Sequence, residues 1–300
     1  WNSLEMIMNK LNSSIEIKGL KKKLGNFVLG PLDLDIPQGS MVGYIGENGA
    51  GKSTTIKLIL DIMRPDSGEI KIFGKKSSQL STQEREKIGV VLDDIHLPGE
   101  LNLKQIAKFC EKLFHTWQVD TFNNLLEKFK LTENKQIKEF SRGMRMKLSI
   151  AIALSHGAKL LLLDEATSGL DPIVRDDILD ILADFMQDEQ CSILISSHIL
   201  SDLEKNADYI AFLHEGKIHF MEGKDELKEK YALCQTDKDT VQNIDPAAIV
   251  GRREHNFGVE LLVEREHIPL ELDLTIERPS IEDIMLFMTK SNLSDQRSFR

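Results

Sequence analysis

The residues best suited to chemistry lie in the run Gly46-Glu47-Asn48-Gly49-Ala50-Gly51-Lys52-Ser53, which fits G-x-x-x-x-G-K-[ST]. Glycines at this spacing let the backbone curl so that successive N–H groups point inward and form an anion nest. A helix starting at the end of the run adds partial positive charge. Lys52 is placed to reach the β- and γ-phosphates of a nucleotide, and the Ser53 hydroxyl to bind Mg2+. A Gly-rich turn followed by a surface lysine would share the pattern. The flanks argue against it: Met41-Val42-Gly43-Tyr44-Ile45 reads as a buried strand, and residues 53–63 read as a largely buried helix.

A second group is Leu160-Leu161-Leu162-Leu163-Asp164-Glu165, which puts two acids at the end of an apolar strand. In a parallel sheet that end is where ligands bind. Asp164 is suited to hold Mg2+, usually through its water shell. Glu165 is suited to orient or deprotonate a water attacking the γ-phosphate. Alone, two such acids could simply cap the next helix; beside a phosphate loop they read as the other part of one nucleotide site.

The elements that must position these groups alternate along the chain. Residues 15–18, 32–36 and 69–73 alternate apolar and polar, as half-buried strands do. Residues 160–163 and 192–195 are short apolar runs, and residues 174–186 have helical character. Short apolar strands separated by helices indicate a parallel sheet. Between about 101 and 155 the chain reads as mainly helical, with Ile106, Phe109, Cys110, Leu113, Phe114 and Trp117 at three- and four-residue spacing on one expected face. That stripe reads as the core of a helical subdomain, although part of it could dock another protein. His214-Glu215-Gly216-Lys217 reads as a hairpin turn, and residues 224–230 as a solvated helix or linker. Beyond them, residues 258–263 and 270–274 are strand-like, and Ser280 stands where it would cap a helix carrying Ile281, Ile284, Met285 and Met288 on one face.

Three further segments carry a family resemblance: Phe140-Ser141-Arg142-Gly143-Met144 before the acidic strand, Ser168-Gly169-Leu170-Asp171 after it, and Ser197-His198 at the end of the next apolar strand. In order and spacing, residues 15–222 resemble the ATP-binding subunit of an ATP-binding-cassette (ABC) transporter. The resemblance implies a P-loop NTPase cassette of α/β class: a RecA-like core, an antiparallel β subdomain and a helical subdomain at about 95–155. Residues 223–300 would form a small C-terminal α+β appendage, and residues 1–14, which begin with an unusual Trp1, an N-terminal tail or scar. It implies ATP and Mg2+ as cofactors. Gly46, Asn48, Gly49, Ala50, Gly51, Lys52, Ser53 and Thr54 would bind nucleotide in one cassette. Ser141 and Gly143 would close over nucleotide held by a second, head-to-tail cassette, and Asp171 would communicate between the two sites. Glu165, His198 and Lys52 take catalytic roles, and Ser53 and Asp164 metal-binding ones. Two positions depart from the family pattern. Asp93 stands where a Mg2+-sensing glutamine is usual and could ligate Mg2+ through water. Leu24 stands where an aromatic platform for adenine is usual, with Phe27 as the substitute.

The SRGM variant of the signature, usually LSGGQ, and the C-terminal appendage resemble the subgroup that exports drugs, antibiotics and peptides through separate membrane subunits. The implied partners are an integral membrane subunit, whose short helix would enter a groove near residues 93–103, and a second cassette, identical or different. The implied location is the cytoplasmic face of the membrane. Composition is compatible with this. The 300 residues predict about two domains. A net charge of −10 disfavours a protein that grips nucleic acid through its phosphates. The cysteines Cys110, Cys191 and Cys234 are far apart and read as reduced thiols. No stretch approaches the roughly 18–20 apolar residues of a membrane span, so no direct insertion is expected, and no signal-peptide layout is visible.

Overall fold

In a computed structural model of the chain, residues 13–93, 97–132, 135–255, 258–268 and 275–295 are described, the last few (290–295) by backbone alone. They divide into two compact units, Trp1–Met221 and Glu222–Arg300.

The first unit contains two sheets. In one, β1 (Ser13–Leu24), β2 (Phe27–Pro37), β4 (Ser67–Ile72) and β5 (Lys75–Lys76) are ordered β2-β1-β4-β5 and pair antiparallel. Alternation along β1 and β2 buries Ile15, Ile17, Leu32, Leu34 and Ile36 on one face. The other sheet comprises β3 (Met41–Ile45), β6 (Ile88–Val91), β7 (Leu160–Asp164), β8 (Ser192–Ser197), β9 (Tyr209–His214) and β10 (Lys217–Gly223), in the order β10-β9-β3-β8-β7-β6. The ladders β3–β8, β3–β9, β7–β8 and β6–β7 are parallel. Register places Ile45 beside Ser197 and Asp164 beside Ser196. The chain therefore leaves β3, β7 and β8 at one edge of the sheet, the edge where α/β sheets bind ligands. A shared core joins the two sheets: Ile36, Tyr44, Ile56, Leu162, Leu194 and Ala211 belong to one buried cluster. Full burial of each such Leu or Ile contributes about 1.5–3 kcal/mol.

Helix α1 (Lys52–Ile59) follows β3 and is shorter than the sequence predicts. Asp61 turns into a left-handed conformation (φ 57), which ends the helix early, and Ile62 is left 66% exposed. A one-turn α2 (Thr82–Arg85) precedes β6. The helical region holds α3 (Leu103–Leu113), α4 (Val119–Lys128) and α5 (Arg142–Leu154). The single apolar stripe expected there is corrected. α3 stops at Leu113, so Phe114 and Trp117 follow in a separate segment, and Phe109 and Leu113 are exposed while Ile106 and Cys110 are buried. Three- and four-residue spacing spans more of the helix circumference than the packed face can cover. After β7 and β8 come α6 (Pro172–Phe185) and α7 (Leu200–Asn206).

The second unit has α8 (Lys224–Lys230), β11 (Tyr231–Thr236), β12 (Ile249–His255), β13 (Gly258–Glu264), β14 (Thr275–Glu277) and α9 (Ile281–Asp295). Its sheet is antiparallel, in the order β12-β13-β11-β14. The Ser280 cap is present: the Asp283 amide donates to Ser280 Oγ at 3.0 Å and the Ser280 amide to Asp283 Oδ2 at 2.9 Å. Ile281 and Ile284 are buried. The strand expected at 270–274 lies outside the described residues. Among those described, no helix is long and apolar enough to cross a membrane, and the three cysteines are buried free thiols.

One polar knot ties the helical region to the core. The buried Glu86 carboxylate accepts from the His115 amide at 3.0 Å and from His115 Nδ1 at 2.7 Å. His156 Nδ1 donates to the Glu86 carbonyl at 2.7 Å, and its ring stacks on Phe114 at 4.4 Å. Burial is the larger influence on His156 and pushes its pKa below the ordinary 6.5, against the hydrogen bond. The unfolded chain then binds the proton more readily. The stability this provides is complete above pH 6.5 and is lost as pH falls below it toward the folded value. Urea midpoints are expected to rise between about pH 5.5 and 7.5 in the native chain and to rise less in His156→Gln, which does not titrate there. Equal pH dependence in both proteins would remove His156 from the acid sensitivity.

Candidate functional site

The phosphate-loop residues turn directly off β3. A Cβ on Gly46 would lie 2.2 Å from the Leu213 carbonyl oxygen, so the loop can pass β9 only without a side chain there. Gly51 has φ 113, and a Cβ there would meet Leu29 Cδ1 at 2.5 Å and Phe27 Cζ at 3.2 Å. Phe27 is thus at the loop, whereas Leu24 sits at the exposed end of β1. Helix α1 begins at Lys52 with no side-chain cap and no acid in its first turn. Its leading N–H groups and partial positive charge are left uncompensated by side chains. Beneath the loop a chain of hydroxyls fixes its shape. Buried Tyr44 donates to Thr55 Oγ1 at 3.0 Å, and Thr55 Oγ1 donates to the Gly51 carbonyl at 3.0 Å. Asn48, Gly49 and Ser53 are exposed at the surface of the turn, Thr54 is half-buried, and Ala50 is buried.

Lys52 points back over the loop. Its Nζ donates to the Gly46 carbonyl at 2.8 Å and the Glu47 carbonyl at 3.3 Å, and lies 3.5 Å from Glu165 Oε1. The other Glu165 oxygen, Oε2, accepts from His198 Nδ1 at 2.6 Å. Side-chain exposure rises along this series, from 6% at Lys52 through 19% at Glu165 to 48% at His198. The carboxylate is therefore gripped from the buried side and approached from solvent beside the imidazole. Glu165 itself holds a left-handed backbone, φ 53, a conformation costing about 1–3 kcal/mol outside glycine. Its amide repays part of this by donating to both the carbonyl and the Oγ of Ser196, each at 3.1 Å.

Ser196 Oγ in turn donates to Asp164 Oδ1 at 2.6 Å. Asp164 is buried, and among the described residues no hydrogen bond to its Oδ2 is found. The Asp164 carboxylate together with the Ser53 hydroxyl is a hard-oxygen donor set that fits Mg2+. Asp93 is exposed just beyond β6 and, among the described residues, forms no hydrogen bond or ion pair with this cluster.

A second group gathers elsewhere on the same unit. Ser141 caps α5 by accepting the Met144 amide at 3.2 Å. Asp171 caps α6 by accepting the Val174 amide at 3.0 Å, with Pro172 as the first helical residue. Gly143 packs against Val174 and Leu170, and the Arg142 guanidinium covers Gly169. Among the described residues, no hydrogen bond or ion pair joins Ser141, Gly143 or Asp171 to Lys52, Glu165 or His198.

The family profile described as "ABC transporter" matches residues 29–168. The ABC transporter ATP-binding protein YtrB of Bacillus subtilis (strain 168) is 32% identical over 233 residues, covering 77% of this chain and 79% of that protein. This chain belongs to the ABC transporter ATP-binding family. The lantibiotic transport ATP-binding protein SrtF of Streptococcus pyogenes is 37% identical over 207 residues, 68% of this chain and 88% of that protein. A solved dimeric structure of the ATP-binding cassette MJ0796, in a post-hydrolysis state with ADP and Pi, shares the fold. It has a TM-score of 0.63 and 23% identity, covering 70% of this chain and 98% of that one. The first unit is accordingly an ABC ATPase cassette.

In this cassette the sequence motifs account for Lys52, Asp164, Glu165 and His198 but not for the groups that hold them. Ser196 touches both acids, and Tyr44 and Thr55 brace the loop. The available signal was a run of small hydroxyl residues, Ser196-Ser197, at the end of an otherwise apolar strand. Ser196→Ala is expected to fold normally and to lower kcat for ATP hydrolysis about tenfold or more, the usual worth of a hydrogen bond to a charged group. Steady-state assays giving native turnover would show that the strand ladder alone positions both acids.

Proposed function

We propose that this ABC ATP-binding subunit binds Mg–ATP between two cassettes and couples its hydrolysis to export of an antibiotic or peptide by a separate membrane subunit. The observation that carries this reading is the separation of the two residue groups. Lys52, Glu165 and His198 are joined by an ion pair and a hydrogen bond, whereas Ser141 and Asp171 cap two other helices and Gly143 packs beside Val174; among the described residues no bond joins the two groups. A loop that contacts phosphates from one side leaves the γ-phosphate open. A second cassette, head to tail, would present its Ser141 and Gly143 to that open side and make the triphosphate part of the interface.

Each residue then has a physical task. The amides of residues 46–54 bind the phosphates, and Lys52 neutralises β- and γ-oxygens. Glu165 orients the attacking water and accepts its proton; its tether to His198 fixes which carboxylate oxygen faces solvent. His198 contacts the γ-phosphate and the water. Ser53 and Asp164, with Asp93 at longer range, would hold Mg2+, which when bound offsets charge building on the β- and γ-oxygens. Phe27 offers a ring for adenine beside Gly51. Loss of the γ-phosphate removes the groups bridging the cassettes, and the pair opens.

The exporter assignment is supported by SrtF, whose name records lantibiotic transport. The subunit would sit on the cytoplasmic face of the membrane through its partner, with residues 223–300 as an accessory domain and the stretch 93–103 receiving the partner's helix. Glu165→Gln is expected to bind ATP, lose turnover by about a hundredfold or more and accumulate a dimer visible by light scattering. Unchanged turnover would remove Glu165 from the mechanism. Lys52→Ala should lose most affinity for a fluorescent ATP analogue. Ser141→Arg should bind ATP as a monomer and fail to dimerise; normal dimers would count against the composite site.

A further inference from the structure

Two segments leave the nucleotide edge of the sheet and must keep a fixed spacing for Glu165 and His198 to meet. One runs from β7 through Glu165 and Thr167 to Asp171 and α6. The other runs from β8 through His198 into α7. A buried carboxylate stands between them. Asp202, on α7 one turn after His198, is 6% exposed. Arg175, one turn after Asp171 on α6, brings Nε to 3.6 Å from Asp202 Oδ1. Thr167 is fully buried and lies against the same carboxylate, and it offsets part of the pKa rise that burial imposes there; Arg175 and then Lys205 act in the same sense. Neither Thr167 Oγ1 nor Asp202 Oδ2 has a partner at hydrogen-bond distance. Such a charge is costly to bury unless opposite charge or donors surround it. Here the paired charge, Arg175, is drawn from the segment that carries Glu165 and Asp171.

We propose that Asp202 is a positioning residue for ATP hydrolysis. Through its ion pair with Arg175 it clamps the His198 end of α7 to the segment carrying Glu165 and Asp171, and so maintains the 2.6 Å contact between His198 and Glu165. It touches neither nucleotide nor water. Its effect falls on the orientation of the Glu165 carboxylate, a catalytic rather than a binding quantity. The same bridge links the hydrolytic pair to Asp171, so movement of the segment at a cassette interface would reach His198 through Arg175 and Asp202. The proposal rests on the reading that Glu165 and His198 act on nucleotide.

Steady-state ATP hydrolysis by the full chain tests it. Asp202→Asn keeps the size of the side chain but removes the charge that faces Arg175. It is expected to lower kcat about tenfold while KM for ATP stays within about twofold. Arg175→Gln, at a partly exposed position, should give the same split, and the double variant should be no slower than the slower single one. In a His198→Ala background, Asp202→Asn should cause no further loss, because the residue acts through His198. Rates for Asp202→Asn and Arg175→Gln within twofold of native would overturn the proposal. So would a kcat loss of full size in the His198→Ala background, or a KM that rises in step with a falling melting temperature, the mark of a merely structural plug. Glu165→Gln separates the two levels. If it stops turnover while Asp202→Asn is neutral, only the clamp fails; if it leaves turnover unchanged, the reading beneath the clamp fails with it.

Discussion

The parallel register of β3, β7 and β8 is the constraint on which the rest depends. Their backbone hydrogen bonds bring Ile45 beside Ser197 and Asp164 beside Ser196. The phosphate loop, the two acids and His198 therefore all emerge at one edge, although the segments that carry them are far apart in the chain. A slip of one residue in β8 would turn Ser196 to the opposite face. It would strip Asp164 of its hydroxyl donor and the left-handed turn at Glu165 of the bonds that sustain it. β8 is buried on both faces, so its register is held by the close packing of Ile193 and Ile195 on one side and Leu194 on the other, which a slip would exchange.

On that frame, strain and charge are concentrated where the geometry is most exacting. Glu165 occupies a backbone conformation unfavourable for a side-chain-bearing residue, Gly46 passes the Leu213 carbonyl at a distance that no Cβ could tolerate, and Gly51 holds φ 113. The surrounding structure over-determines these positions: Tyr44 and Thr55 from below the loop, Ser196 from the neighbouring strand, Lys52 and His198 from either side of the carboxylate. On the proposed reading, such bracing leaves little to rearrange when charge develops at the site, the main way a phosphoryl-transfer site gains rate. Membership of the ABC family gives this local arrangement its context.

Much of this was legible in the residues. The spacing of Gly46, Gly51, Lys52 and Ser53 after an apolar strand, and of Asp164 and Glu165 after another, specifies local backbone and charge without reference to any distant segment. Alternating patterns marked parts of β1, β2 and β4, and Ser280 marked the start of the last helix, whereas β11 and β12 carried no such signal. Less was legible where packing decides. The stripe from Ile106 to Trp117 looked continuous, yet α3 ends at Leu113 and leaves Phe109 and Leu113 in solvent. Helical spacing says which residues share a side, not how wide a surface the neighbours will cover. Ile62 likewise belonged to the helical pattern, but Asp61 breaks it.

By itself, then, the sequence determined the chemical groups and their local settings: a nest of amides, a lysine, a strand-end acid pair and a later histidine, on an alternating α/β chain. Only the tertiary structure decided their partnerships: Ser196 on both acids, His198 on one oxygen of Glu165, Asp202 facing Arg175 and Thr167. The physical reason is range. Backbone curvature and side-chain polarity are set within a few neighbouring residues. Hydrogen bonds between strands and charges held in a buried interior depend on register and packing, which no short stretch of chain can specify.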